Sequence, residues 1–304
     1  MAQPKVQRAT TAAPQSEPEL AGIVLALGAP REAIDAVRSL QALDPPVEIV
    51  VVNSGGGDMA AKLRAAGIEV PVIERQERLF VGASRNLGIA ATKAPYIGFL
   101  ASDCRAAPGW SRYRIVAHRA GKATVASALI PSHRWNPFAW ASHLALFRRR
   151  LPGTRGKAAA LYGASYDRSL FERYGLFRAD LRVAEDTEFH ARLSHDEKPV
   201  WRPRIRAIHA SPTGPISLFR DQYNRGGRAA DASFELSGKE IPFNLRWTYM
   251  QVRSAIRMSR QVVERRYRPV VYLSWLLLPL AVGGYALGGA AANRRRGKQT
   301  PPPA

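Results

Sequence analysis

Apolar positions along this chain switch between two periods. Gly22-Ile23-Val24-Leu25-Ala26-Leu27 is an apolar run of strand length. From Arg31 to Leu43, Ile34, Val37, Leu40 and Leu43 recur at every third position, the spacing of one helix face. Pro45-Pro46 breaks that helix. Val47 to Val52 predicts a second strand, Ala60 to Ala66 a helix, Val70 to Ile73 a short strand, Ala83 to Ala91 a helix and Tyr96 to Leu100 another strand. Strands alternating with helices predict an α/β fold with a parallel-type sheet and crossover connections. Thr124 to Ile130 reads as a strand, Ala159 to Tyr166 and Ser169 to Tyr174 restore the α/β pattern, Glu185 to Leu193 is helical, and Arg204 to His209 alternates as a strand. An aromatic and basic stretch, Trp135 to Gly153, interrupts them.

The last third follows a different rule. Ile241 to Arg268 is a basic helix candidate. Leu245, Tyr249, Val252, Ile256 and Val263 fall on one stripe, and Arg246, Arg253, Arg257 and Arg260 on its neighbour. This is the pattern of a helix on an anionic bilayer, or of a surface helix packed on the domain. The 25 residues 269–293 carry no charge. A span needs roughly 20 apolar residues, so a membrane segment is expected there, with a buried helix hairpin as the alternative. Arginines on both flanks leave its orientation undecided. Met1 to Glu19 has no apolar run of the kind a signal peptide needs and reads as a flexible tail. The expected division is a tail over 1–19, a catalytic domain over 20–235, a basic amphipathic helical region over 236–268, the membrane segment over 269–293, and a basic, Pro-rich tail over 294–304.

A formal charge of +21 favours an anionic partner. No DNA- or RNA-binding module is recognisable, so nucleic acid is not expected, whereas a phosphate-bearing substrate and an anionic membrane surface are. Cys104 is the only cysteine, which excludes an internal disulfide.

Several positions carry candidate chemistry. Asn53-Ser54-Gly55-Gly56-Gly57-Asp58 follows the second strand, and its glycines let backbone approach a ligand, although such a loop is often only a turn. Arg85-Asn86 opens a helix, where an arginine can meet a phosphate or a surface carboxylate. Asp103 ends an apolar strand at the edge where open α/β sheets bind ligands, and suits a divalent cation bridging a diphosphate. His209 ends another strand and is a second candidate ligand, or a structural histidine. Glu185-Asp186 begins a helix, fitting a cap or a general base. Arg225-Gly226-Gly227-Arg228 reads as paired cations able to approach a pyrophosphate, or as loop arginines.

The order of these pieces resembles the family 2 glycosyltransferases over about residues 20 to 230. The resemblance rests on Ala83-Ser84-Arg85-Asn86-x-Gly88, Phe99-Leu100-Ala101-Ser102-Asp103, Glu185-Asp186-Thr187-Glu188-Phe189-x-x-Arg192-Leu193 and the turn Tyr174-Gly175-Leu176-Phe177. It implies a GT-A Rossmann-like sandwich with a mixed, mostly parallel sheet. It further implies a nucleotide-sugar donor, a divalent cation (Mg²⁺ or Mn²⁺) on the diphosphate, and inversion at the anomeric carbon. Asp103 resembles the last aspartate of the family's metal motif, Asp186 its general base with Glu185 beside it, and Asn53, Ser54 and Asp58 its base-contacting positions. Arg85, Asn86, Arg225 and Arg228 are then expected on the donor, and Asp103 with His209 on the metal. Ala101 replaces the motif's first aspartate, and Asn53 and Ser54 replace acidic residues. The expected protein is a membrane-associated glycosyltransferase with a cytoplasmic catalytic domain, acting on a glycan or lipid-linked acceptor. The alternative is a degenerate scaffold or glycan-binding module of the same fold.

Overall fold

A computed structural model describes residues 17–299. Residues 1–16 of the expected N-terminal tail and 300–304 of the expected C-terminal tail lie outside the described residues. Eight strands form one sheet: β1 (Leu20–Leu27), β2 (Glu48–Ser54), β3 (Val72–Glu74), β4 (Tyr96–Ala101), β5 (Cys104–Ala106), β6 (Thr124–Pro131), β7 (Ala164–Asp167) and β8 (Val200–His209). Their order is β3-β2-β1-β4-β7-β6-β8-β5. The half β3-β2-β1-β4 is parallel, β7 runs antiparallel between β4 and β6, β6 and β8 are parallel, and β5 is antiparallel to β8. The predicted mixed, mostly parallel sheet is present, and every strand read from the apolar runs falls within it.

Helices cover both faces, which is why the parallel strands are apolar throughout. They are α1 (Glu32–Gln41), α2 (Met59–Ala65), α3 (Val81–Ala90), α4 (Trp110–Arg119), α5 (Pro137–Phe147), α6 (Ser169–Tyr174) and α7 (Glu185–Arg192). Successive residues of β1 point to opposite sides. Val24 joins Val37, Leu40, Leu63, Trp110 and Ile115 on one face, and Ile23 joins Val52, Phe99, Tyr166, Phe171 and Phe189 on the other. The aromatic stretch after Trp135 becomes α5, capped by Asn136, whose Oδ1 accepts from the Phe138 and Ala139 N–H groups.

The remaining helices are α8 (Pro215–Ser237), α9 (Leu245–Val262), α10 (Arg268–Trp275) and α11 (Leu278–Gln299). Four expectations change here. Arg225-Gly226-Gly227-Arg228 is no loop but the middle of α8. A Cβ on Gly226 would stand 1.9 Å from the Tyr285 carbonyl oxygen, and one on Gly288 1.9 Å from that of Tyr223. These glycines let the backbones of α8 and α11 touch, which offsets their helix cost of about 1 kcal/mol each. The apolar stripe of α9 is divided: Val252, Ile256 and Val263 pack against Trp140 and Leu144, leaving Leu245 and Tyr249 exposed. Its apolar side is therefore largely spent on the protein. The charge-free segment is also broken. Among the described residues no single helix is long and apolar enough to cross a membrane, and the pair Arg265–Trp275 and Leu278–Gly297, bent by 61°, passes that test only together. Residues 294–299, expected in the tail, continue α11.

Candidate active site

The carboxyl ends of β1, β2 and β4 open on one edge of the sheet. After β2 the chain turns through Gly55, Gly56 and Gly57 at φ of 75, 80 and 81°, where other residues are strained. Asn53 lies fully buried beneath this loop. Its Oδ1 accepts from the Ala29 N–H (2.9 Å), and its Nδ2 donates to the Gly56 oxygen (3.0 Å) and Glu74 Oε2 (2.7 Å). Both amide protons are used, so Asn53 builds the loop instead of offering its amide to a base. Ser54 is buried. Asp58 Oδ1 caps α2 by accepting from the Ala61 N–H at 2.7 Å, satisfying a donor of the first turn. Glu74, missed in the sequence, takes the N–H groups of Met59 and Ala60 on Oε1.

Arg85 and Asn86 turn inward from α3. Asn86 Nδ2 donates to the Phe177 oxygen (2.8 Å) and Asn86 Oδ1 accepts from the Phe177 N–H (3.1 Å), clamping the Tyr174–Phe177 turn. The Arg85 guanidinium lies 4.9 Å from the ring centres of both Phe99 and Phe177 and pairs with Glu185 at 3.0 Å, both side chains nearly buried. Burial opposes the charge on Arg85, but Glu185, with Asp186 and Tyr166 nearby, outweighs it and raises the pKa. The motif expected on the donor is thus a brace between α3, the turn and α7. Glu185 is consumed by that brace, which leaves Asp186 as the available carboxylate of the pair.

Asp186 is half-buried in the first turn of α7, two residues after Ala184, which caps the helix at φ 65°. Ala184 and Ala29 are the two non-glycine residues with positive φ among those described, and Ala29 donates to Asn53. Such strain costs of order 1 kcal/mol and gathers at functional sites. Burial lowers the His190 pKa to about 4 against the pull of Asp186, so that neighbour is neutral at pH 7. Two further residues tie Asp186 to the sheet edge. Arg150 lies within electrostatic reach of both Cys104 and Asp186, and its guanidinium covers the Tyr162 ring at 5.0 Å. The signal for Arg150 in the sequence was the basic run at 148–150.

Asp103 and His209 do meet. Pairing of β5 with β8 sets Cys104 opposite His209 and brings His209 Nε2 to 3.3 Å from Asp103 Oδ2. From α8, Arg225 Nη2 stands 3.2 Å from the same His209 nitrogen, while Arg225 Nε donates to Asp221 at 2.9 and 3.1 Å. Partial desolvation would raise the Asp103 pKa. The hydrogen bond and charge of His209, and the charge of Arg225, win and hold it at about 2. Arg228, one turn along α8, also feels Asp103. The structure therefore joins Asp103, His209, Arg225 and Arg228.

Asp103 and His209, whose Oδ2 and Nε2 lie 3.3 Å apart, are the side chains that would hold a divalent cation on a diphosphate, whose oxygens and water would complete the shell; Ala101 leaves out the motif's other carboxylate. Among the described residues no cluster of three His, Cys, Asp or Glu side chains forms. His209 Nε2 already faces a guanidinium and a carboxylate, and its Nδ1 is buried without a partner.

The glycosyl transferase family 2 profile matches residues 29–177. No curated protein sequence matches the chain. Among solved structures, it is similar to the mannosyltransferase PcManGT from Pyrobaculum calidifontis, in complex with GDP-Man and Mn²⁺, at 15% identity and a TM-score of 0.53, over 95% of this chain and 90% of that one. TarS 1-349 from S. aureus aligns at 14% identity over 92% of each chain with a TM-score of 0.49. At these identities the likeness to PcManGT speaks for the fold, a mixed α/β sheet of the GT-A kind. Residues 29–177 match the glycosyl transferase family 2 profile, so this chain carries a family 2 glycosyltransferase domain.

Proposed function

We propose that this glycosyltransferase inverts the anomeric centre, with Asp186 as general base. The observation that carries the reading is the division of labour in the α7 pair: Glu185 is locked to Arg85, whereas Asp186 stays half-buried and open. A carboxylate within hydrogen-bond reach of an acceptor hydroxyl takes its proton as the oxygen attacks. The new bond joins the acceptor oxygen to the anomeric carbon. The bond from that carbon to the donor's phosphate oxygen breaks, and its electron pair leaves on the diphosphate. Arg225 and Arg228 meet that growing negative charge. PcManGT was solved with GDP-Man, and a nucleotide diphosphate-sugar is the donor class proposed here. The divalent cation expected by resemblance would be held by Asp103 and His209 and would offset negative charge on the diphosphate.

The acceptor is a glycan or lipid-linked sugar, and the catalytic domain works at the cytoplasmic face of a membrane. Two features support this. Arg246, Met250, Arg253, Arg257 and Arg260 are exposed along one side of α9, and Tyr272 and Leu273 on α10, Leu276 in the bend after it, and Leu280 and Leu287 on α11 are exposed. Basic residues beside anionic lipid contribute about 1 kcal/mol each. The reading is tested by incubating the full chain with UDP-, GDP-, ADP- and TDP-sugars and measuring nucleoside diphosphate release. Release from one donor class supports it. Donor binding without release favours the degenerate scaffold, for which Ala101 is the motivation.

A further inference from the structure

A cavity of about 360 Å³ is lined by none of the residues gathered around Asp103 and Asp186, and its size is that of a ligand pocket. It opens between the end of β6, α5 and the corner where α9 passes into α10. Ile130, Leu151, Val262 and Val263 line it with Trp140 and Tyr267, and all six are buried. Two arginines, Arg134 and Arg206, join this apolar wall. Arg134 Nη1 donates to the Tyr267 hydroxyl at 3.2 Å, and among the described residues Arg134 meets no carboxylate. Arg206 Nη1 stands 3.9 Å from Glu264 Oε1, and its Nε is buried without a partner. Glu264 is already paired with Arg266, at 2.8 Å. The cavity thus sets two guanidinium groups against one carboxylate that is engaged elsewhere. Pro131, also on the wall, pairs with His209 across the sheet, so the cavity reaches the strand end that carries His209.

Resting on the glycosyl-transfer reading above, we infer that this cavity binds the phosphate and first carbons of a single-chain lipid phosphate, the anchor of a lipid-linked acceptor. The aliphatic walls suit an alkyl or isoprenoid chain, whereas buried sugar hydroxyls would find few partners there. Each CH₂ buried strengthens binding about fourfold. A guanidinium fork matches phosphate oxygens, and Arg134 and Arg206 are the groups that would make this contact. The position fits the same occupant. Before the corner, α9 exposes Arg257 and Arg260; beyond it, α10 exposes Tyr272 and Leu273. The corner is flanked by a basic surface for headgroups and an apolar one for chains. In a lipid-linked sugar the phosphate joins chain to sugar and keeps a negative charge, so holding it tethers the acceptor beside the end of β6.

The test is calorimetric titration of geranyl phosphate, geraniol and inorganic phosphate into the full chain, below the micelle concentration, for wild type, Arg134→Gln, Arg206→Gln and Arg206→Lys. Thermal melts confirm folding, and the same preparations are titrated with UDP, GDP, ADP and TDP. Geranyl phosphate should bind at least about tenfold more tightly than geraniol or inorganic phosphate. Arg134→Gln and Arg206→Gln should each weaken it about 10- to 100-fold, the value of charge-assisted hydrogen bonds, with nucleotide affinity unchanged. Arg206→Lys, which keeps the charge, should weaken it less. Inorganic phosphate binding as tightly makes this a free-phosphate site. Geraniol binding as tightly removes the arginines from recognition, and equal affinity in the folded variants places the lipid elsewhere. Each of these overturns the inference. Nucleotide binding without geranyl phosphate binding does so too and leaves the glycosyltransferase reading intact. Failure of every ligand overturns both readings.

Discussion

Asn86→Ala separates a bracing role from a donor-binding one. The side chain makes two hydrogen bonds to one residue, Phe177, whose N–H and C=O lie 91 positions along the chain. Truncation leaves both backbone groups without that partner. A net hydrogen bond is worth about 0.5–1.5 kcal/mol, and an unmet buried group costs about 1–3 kcal/mol. Both bonds are partly buried, so water recovers some of the loss, and about 1–3 kcal/mol of destabilisation is expected. For a chain of this size each kcal/mol moves Tm by about 2–4 °C. The assay is urea unfolding followed by tryptophan fluorescence, paired with nucleoside diphosphate binding below the transition. The expected variant is less stable and binds with near-normal affinity. Unchanged stability with lost binding would refute the brace and return Asn86 to the donor site.

Other perturbations follow from the same contacts. Glu185→Gln leaves Arg85 charged between Phe99 and Phe177, a loss of about 3–5 kcal/mol for a broken buried pair; urea unfolding measures it, and a shift below 1 kcal/mol contradicts the brace. Gly226→Ala places a Cβ against the Tyr285 carbonyl, so limited proteolysis should release the C-terminal helices faster, and an unaltered cleavage rate argues against the packing. His118, buried against Ser165 and Lys122, has its pKa lowered by burial from 6.5 to about 4. The unfolded chain takes up that proton first, so stability falls as pH drops from about 6.5 to about 4, by up to about 1.4 kcal/mol per unit. Folded His118→Gln should show a shallower fall of Tm over that window. Charge removal by Arg253→Gln or Arg257→Gln should weaken co-sedimentation with phosphatidylglycerol vesicles about fivefold each, the equivalent of about 1 kcal/mol; equal binding removes α9 from the contact.

The strands were readable because their apolar runs must be buried whichever partners cover them. The sheet edge at Asp103 followed from the same logic. The roles of Arg85, Asn86 and Glu185 were not readable, since a helix-opening arginine looks the same whether it meets a phosphate or a carboxylate distant in the chain. Phe177 and Glu185, which settle the matter, come from segments that only folding brings to α3. The place of Gly226 in a helix was not readable for a related reason: paired glycines suit a loop as well, and only the approach of the Tyr285 carbonyl from α11 explains a glycine there. The charge-free run 269–293 met the length criterion, but composition says nothing of the bend after Trp275.

The central claim is that Asp186, freed by the Arg85–Glu185 pair, removes the acceptor proton. Its most direct test is Asp186→Asn, which keeps the size of the side chain and removes the base, measured for both donor binding and turnover. The account predicts unchanged nucleoside diphosphate affinity with turnover lowered about 10²- to 10⁴-fold. Turnover at the wild-type rate would contradict it.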